Sequence, residues 1–140
     1  MIRVTRRYEF SASHRLHAPS LPEEENRRLY GKCNNPFGHG HNYVLEVSVL
    51  GQVDARSGRA VDPGALDQLV RERVLCAFDH KNLNEQIELF RRVVPTTENL
   101  GLLIHERLKE GWNTVFPGQR PELEKVRIAE TERNIFEVSD

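Results

Sequence analysis

The chain has 140 residues, 38% of them hydrophobic and 29% charged, with a formal net charge of −1. That length suits one domain spanning residues 1–140, and the balance of apolar and charged residues excludes an intrinsically disordered chain. The near-neutral charge argues against a nucleic-acid partner, allowing only a local basic patch at Arg27, Arg28 and Lys32, and no run approaches the roughly 20 apolar residues of a membrane span.

Residues 2–14 alternate. Ile2, Val4, Tyr8, Phe10 and Ala12 share one parity, with Arg6 the exception, and the polar residues share the other. This predicts a half-buried strand, and its first residues lack the apolar core of a signal peptide. Residues 15–38 break the pattern with charge runs at Glu23–Glu25 and Arg27–Arg28, and read as a long loop of the kind usually tied to function. Residues 41–53 alternate again, with Tyr43, Leu45, Val47 and Val49 on one face, and a turn follows at Ala55–Gly58. Pro63 opens a helix carrying Leu66, Leu69, Val70, Val74 and Phe78 at helical spacing. A second helix starts at Thr96 or Thr97, carries Leu100, Leu103, Ile104 and Leu108, and has Gly111 as a suitable end. Two short strands, 124–131 and 134–138, close the sequence. The order ββααββ implies an α+β fold, a four-stranded antiparallel sheet with two helices on one face. Its open edges suggest oligomerisation by sheet extension.

Three histidines carry the first chemical signal. His39-Gly40-His41 can point two imidazoles the same way on an extended backbone. His14 continues the apolar face of the first strand, as His41 continues that of the second. Pairing of the two strands would bring these imidazoles together near the end of the sheet. Three imidazoles and an open position suit a catalytic zinc site, although copper, iron and nickel also bind imidazole. The plainer reading is a set of unrelated histidines.

The remaining candidates are weaker one by one. Cys33 sits in the polar loop, unlike Cys76 in its apolar run; it is either a loop residue without a role or a thiolate base beside a metal. Two cysteines at unrelated positions suit a reduced, cytoplasmic protein. Asp79 and His80 could form a base with its orienting partner, or simply end a helix. Glu130 shares the parity of Val126 and Ile128, so it is either a solvated strand end or a buried carboxylate awaiting adjacent N–H groups.

Together, five blocks resemble the 6-pyruvoyl-tetrahydropterin synthase family: Phe10–His14, Tyr30–Tyr43, Asp79–Leu83, Pro95–Asn99 and Glu130–Thr131. The resemblance covers about residues 5 to 138, and the Cys33-to-His41 block is its most specific part. It implies a tunnelling fold, in which the sheets of a trimer close into a barrel and two trimers stack as a homo-hexamer. It implies a lyase that converts 7,8-dihydroneopterin triphosphate to 6-pyruvoyl-tetrahydropterin and triphosphate, with zinc on His14, His39 and His41 and magnesium assisting the triphosphate. Cys33 would be the proton-transferring base, Asp79 and His80 its partners, Glu130 the anchor of the pterin ring, with Thr96, Thr97 and Glu98 close to it. Arg59–Asp62 and Thr131–Asn134 depart from the family pattern and leave the pocket rim less defined. The nearest rival is 6-carboxytetrahydropterin synthase, which cleaves the side chain of the same substrate and whose Cys-to-His loop is typically shorter than the five residues between Cys33 and His39. A non-catalytic zinc protein is a third reading, in which Cys33 would close the site as a fourth ligand.

Overall fold

The alternation of residues 2–14 becomes strand β1 (Ile2–His14), which pairs antiparallel along its whole length with β2 (His39–Gly51). The computed structural model describes residues 1–118 and 121–140. β2 pairs in turn with β4 (Glu122–Ala129), through an irregularity at Ser48/Val49, and β4 with β5 (Ile135–Ser139). The fold is α+β, as expected, but the sheet differs from expectation in two respects. It has five strands in the order β3-β1-β2-β4-β5, and it is mixed, because β3 (Lys81–Asn82) runs parallel to β1. Two residues carry no alternation, so sequence periodicity could not reveal β3. The sheet is open at both edges within this protomer.

The ββααββ order is also too simple. The loop after β1 contains a helix, α1 (Glu23–Tyr30), and a 3₁₀ turn at Gly31–Asn34. Helix α1 lacks an apolar stripe, which is why periodicity missed it; it is held by one buried side chain. Asn26 accepts from the Ala18 N–H at 2.7 Å and donates to the carbonyls of Ala18, Leu21 and Pro22. This satisfies a polar group whose burial would otherwise cost stability.

Helix α2 begins at Pro63 and runs through Val70. It is continued by a π turn (Arg71–Leu75) and a last turn ending at Phe78. Asp62 caps it by accepting from the Gly64 and Ala65 N–H groups. A short helix, α3 (Leu83–Gln86), follows β3, and a 3₁₀ turn covers Glu88–Arg91. The long helix α4 (Thr97–Val115) is capped by Thr96, whose hydroxyl accepts from the Asn99 N–H. Gly111 does not end α4. It lies inside the helix, where a Cβ would come 2.9 Å from Leu69 Cδ1 and 3.0 Å from Arg73 Nε, so its missing side chain lets α4 approach α2. No helix among the described residues is long and apolar enough to cross a membrane.

One core joins α2 and α4 to the even-numbered side chains of β1 and the odd-numbered ones of β2, including Phe10, Tyr43, Leu45, Leu66, Leu100, Ile104, Val126 and Ile128. Arg6, the polar exception on that face, is held there by Asp67 of α2, which accepts from its Nε and Nη2 at 2.7 and 2.8 Å and from the Tyr8 hydroxyl at 2.7 Å. Ile104 is wholly buried, so Ile104→Ala should lower the unfolding free energy by about 2–5 kcal/mol in a denaturant titration, and a loss below about 1 kcal/mol would mean the core does not depend on α4 as described.

Candidate metal centre

The register of β1 against β2 sets the site. His14 lies opposite His39 and Ala12 opposite His41, so the three histidines gather where the first strand ends and the second begins. His14 is 1% exposed. Its Nδ1 lies 2.8 Å from the Pro95 carbonyl oxygen. That oxygen can only accept, so Nδ1 carries the proton and Nε2 presents a lone pair.

The lone pair meets His41. The two Nε2 atoms are 3.1 Å apart, and Glu130 Oε1 lies 3.1 Å from His41 Nε2 and 3.5 Å from His14 Nε2. Cys33 Sγ is 3.8 Å from His41 Nε2. The donor atoms of His14, Cys33, His41 and Glu130 all fall within 4.8 Å of one another. Two imidazoles, a thiol and a carboxylate gathered this closely are a donor set that fits a transition-metal cation. His39 stands beside this group, not in it. It is exposed, with its ring centroid 4.7 Å from that of His41.

Burial and neighbouring charge decide the protonation of these atoms. Burial depresses the His14 pKa, partly countered by the Pro95 carbonyl, and burial likewise depresses that of His41, countered by the Glu130 carboxylate. Both rings are thus kept in the neutral, ligating form. Cys33 goes the other way: burial and the Glu130 charge push the thiol above its ordinary value. The protein by itself does not make Cys33 a thiolate; a cation at the histidines is what would do so.

Asparagines fix the cysteine loop. Asn84 accepts from the Arg15 N–H at 2.7 Å and donates to the Arg15 carbonyl at 2.8 Å, while Asn34 donates to the Leu16 carbonyl at 2.7 Å. The Leu16 N–H donates to the Cys33 carbonyl at 2.7 Å, which locks the 3₁₀ turn against the end of β1. Sequence reading did not single out Asn84, Asn26 or Pro95 as supports. Asn84 and Asn26 act through specific side-chain hydrogen bonds and Pro95 through its backbone carbonyl, none of which leaves a periodic signal.

Glu130 follows β4 directly, its N–H donating to the Asn134 carbonyl at 3.1 Å, with a side chain 12% exposed. Thr96, Thr97 and Glu98 form the head of α4, next to the Pro95 carbonyl that holds His14. Thr96 is spent on the cap, Thr97 is buried with a hydroxyl that lacks a hydrogen-bond partner among the described residues, and Glu98 is exposed.

Asp79 and His80 are not brought to Cys33. They flank the outer edge of β1. Asp79 Oδ1 accepts from the Ser11 N–H at 2.9 Å and lies 3.0 Å from His80 Nδ1. The His80 N–H donates to the Ser11 carbonyl at 2.6 Å, and the residue takes a positive φ of 60°. Its side chain is 83% exposed and lines a shallow pocket that Ser11, Ser13, His41 and Asn42 also border.

Comparison with known proteins agrees with this architecture. The family model described as 6-pyruvoyl tetrahydropterin synthase matches residues 3–140. The 6-pyruvoyl tetrahydrobiopterin synthase of Homo sapiens is 43% identical over 94% of this chain and 87% of its own length. That of Poecilia reticulata is 42% identical over 94% of this chain and 86% of its own length. The structure of Caenorhabditis elegans 6-pyruvoyl tetrahydropterin synthase superposes with a TM-score of 0.87 at 40% identity, covering 99% of this chain and 95% of that one.

Zinc at about 100 times its Kd should stabilise the fold by about 2.7 kcal/mol in thermal melts, and His14→Ala should remove that gain. Because the His14 and His41 pKa values lie below the ordinary value, protons compete with metal only at lower pH. Zinc affinity should therefore hold down to about pH 6.5 and fall below it. In a pH series of zinc titrations, a decline that is already complete at about pH 6.5 would contradict this assignment.

Proposed function

The chain belongs to the 6-pyruvoyl tetrahydropterin synthase family, and we propose that it converts 7,8-dihydroneopterin triphosphate to 6-pyruvoyl-tetrahydropterin with loss of triphosphate. Relatives named as synthases at 42–43% identity support an enzyme, and elimination of triphosphate would make it a lyase. The observation that carries the reading is the convergence of two imidazoles, a thiol and a carboxylate within 4.8 Å of one another.

In this proposal His14, His39 and His41 hold zinc. His39 joins by a rotation of its exposed side chain towards its neighbour His41, which leaves Cys33 and Glu130 free for chemistry. Held by these residues, zinc would supply positive charge that lowers the pKa of the neighbouring thiol and of the C–H bonds next to the substrate's hydroxyl groups. Cys33 then takes a proton from one of those carbons, held within reach by the turn against Leu16. Glu130 accepts two hydrogen bonds from adjacent N–H groups of the pterin ring and fixes the distance from ring to base. Thr96, Thr97 and Glu98, at the head of α4, border the ring. Magnesium accompanies the triphosphate.

Asp79 and His80 complete the proton path. Asp79 and His80 sit at the edge of β1, bonded to the Ser11 backbone and, among the described residues, not to Cys33, so in this reading the pair serves a neighbouring copy. This agrees with a homo-hexamer in which open sheet edges meet to form a barrel. The protein acts in the cytoplasm on a small-molecule pterin.

The test is product identity by mass spectrometry after anaerobic incubation of zinc-loaded protein with 7,8-dihydroneopterin triphosphate and magnesium. Pyruvoyl-tetrahydropterin and triphosphate are expected. Carboxy-tetrahydropterin with acetaldehyde would replace this activity by that of the rival synthase, and absence of turnover would overturn the reading. Cys33→Ala should cost about 100-fold or more in kcat while retaining substrate binding; undiminished kcat would remove Cys33 as the base.

A further inference from the structure

A cleft of about 430 Å³ opens beside the metal centre, along the segment between β1 and β2. Arg15, Arg27 and Lys32 line it, with His17, His39 and a single carboxylate, Glu23. Three permanent cations against one acid is a local excess in a protein whose net charge is −1. Among the described residues none of the three cations is within ion-pair distance of a carboxylate, whereas surface cations elsewhere, such as Arg3, Arg6, Lys125 and Arg127, have acidic partners. Arg15 is also aimed. Its Nε donates to the Asn34 carbonyl at 3.2 Å, which fixes the guanidinium plane and leaves its terminal nitrogens for another acceptor.

The cleft adjoins the site through His39. His39 belongs to its wall and stacks edge-on against His41, 4.7 Å between centroids. Lys32 and Asn34, both in the wall, flank Cys33 in sequence. A molecule whose reacting carbon lies at Cys33 can therefore extend a polyanionic tail directly into the cations.

We propose that this cleft is an oligophosphate subsite, in which Arg15, Arg27 and Lys32 bind the triphosphate tail of the substrate. The identification of the anion as a triphosphate rests on the proposed function above; the anion site itself rests on the cleft. Bidentate guanidinium contacts suit phosphate oxygens, and Lys32 adds a point charge next to the base. The same cations stabilise negative charge that builds on the triphosphate as it leaves.

The probe is inorganic triphosphate, titrated calorimetrically into the full-length zinc-loaded protein. Arg27→Ala and Lys32→Ala should each weaken its binding by about ten-fold, the size of a lost charge-assisted hydrogen bond. Arg27→Lys, which keeps the charge and leaves the fold untouched, should recover most of the loss. Affinity for 7,8-dihydroneopterin without phosphates should stay within about two-fold in all variants, and the KM for the triphosphate substrate should rise with the calorimetric Kd. Absence of triphosphate binding by the unmodified protein, or affinity unmoved in the Arg27→Ala/Lys32→Ala double variant, would overturn the subsite. Triphosphate binding that depends on these cations, in a protein that turns over no pterin, would sustain the subsite and sink the proposed function. Pyruvoyl turnover with triphosphate affinity indifferent to them would do the reverse.

Discussion

A single hydrogen bond orients the centre on which the functional reading depends. His14 is almost fully buried, and its Nδ1–H is used up by the Pro95 carbonyl. A neutral imidazole held this way has one remaining choice, to present the Nε2 lone pair to the interior of the site. There it meets His41 Nε2 and the Glu130 carboxylate at close range. Burial penalises protonation of both rings. A cation bound to the two imidazole nitrogens beside the Glu130 carboxylate would engage these lone pairs without charging a buried ring.

The fold assembles this centre from four parts of the structure. The β1–β2 ladder brings His14 to the His39–His41 segment through backbone hydrogen bonds alone. The head of α4 supplies the carbonyl that orients His14. The end of β4 supplies Glu130, beyond a strand whose inner face is committed to the core. The cysteine loop comes last, held to the chain just after β1 by the Asn34 side chain and the Cys33 carbonyl, both bonded to Leu16. Helices α2 and α4 cover one face of the sheet only, so the opposite face keeps Ser11, Ser13, Asn42 and His80 available to solvent or to another copy.

Much of this was legible in the sequence where a period or a cap carried the information. Alternation located β1 and β2 within a few residues and put His14 and His41 on the covered face, and Pro63 and Thr96 marked the two main helices. Glu130 was legible too, as an acid continuing the parity of Val126 and Ile128. What escaped has a common cause. Strand β3 is too short to alternate, α1 is held by Asn26 rather than by an apolar stripe, and Gly111 serves helix packing rather than helix ending. Nothing local showed that His80 and Cys33 would not be hydrogen-bonded to each other, because each is placed by a tertiary contact, Ser11 for one and Leu16 for the other.

The donor set leaves a definite chemical alternative. His14, Cys33, His41 and Glu130 could close around a metal as four ligands, which is how structural zinc is held; an enzyme needs a ligand position left open to substrate. Whether His39 turns in to replace Cys33 and Glu130 decides between the two. X-ray absorption at the zinc edge of the zinc-loaded protein measures this directly. The account predicts a shell of imidazole nitrogens and light-atom ligands at about 2.0–2.1 Å with no sulfur. A Zn–S distance of about 2.3 Å would contradict it, since Cys33 would then be a ligand in a closed site and not the base.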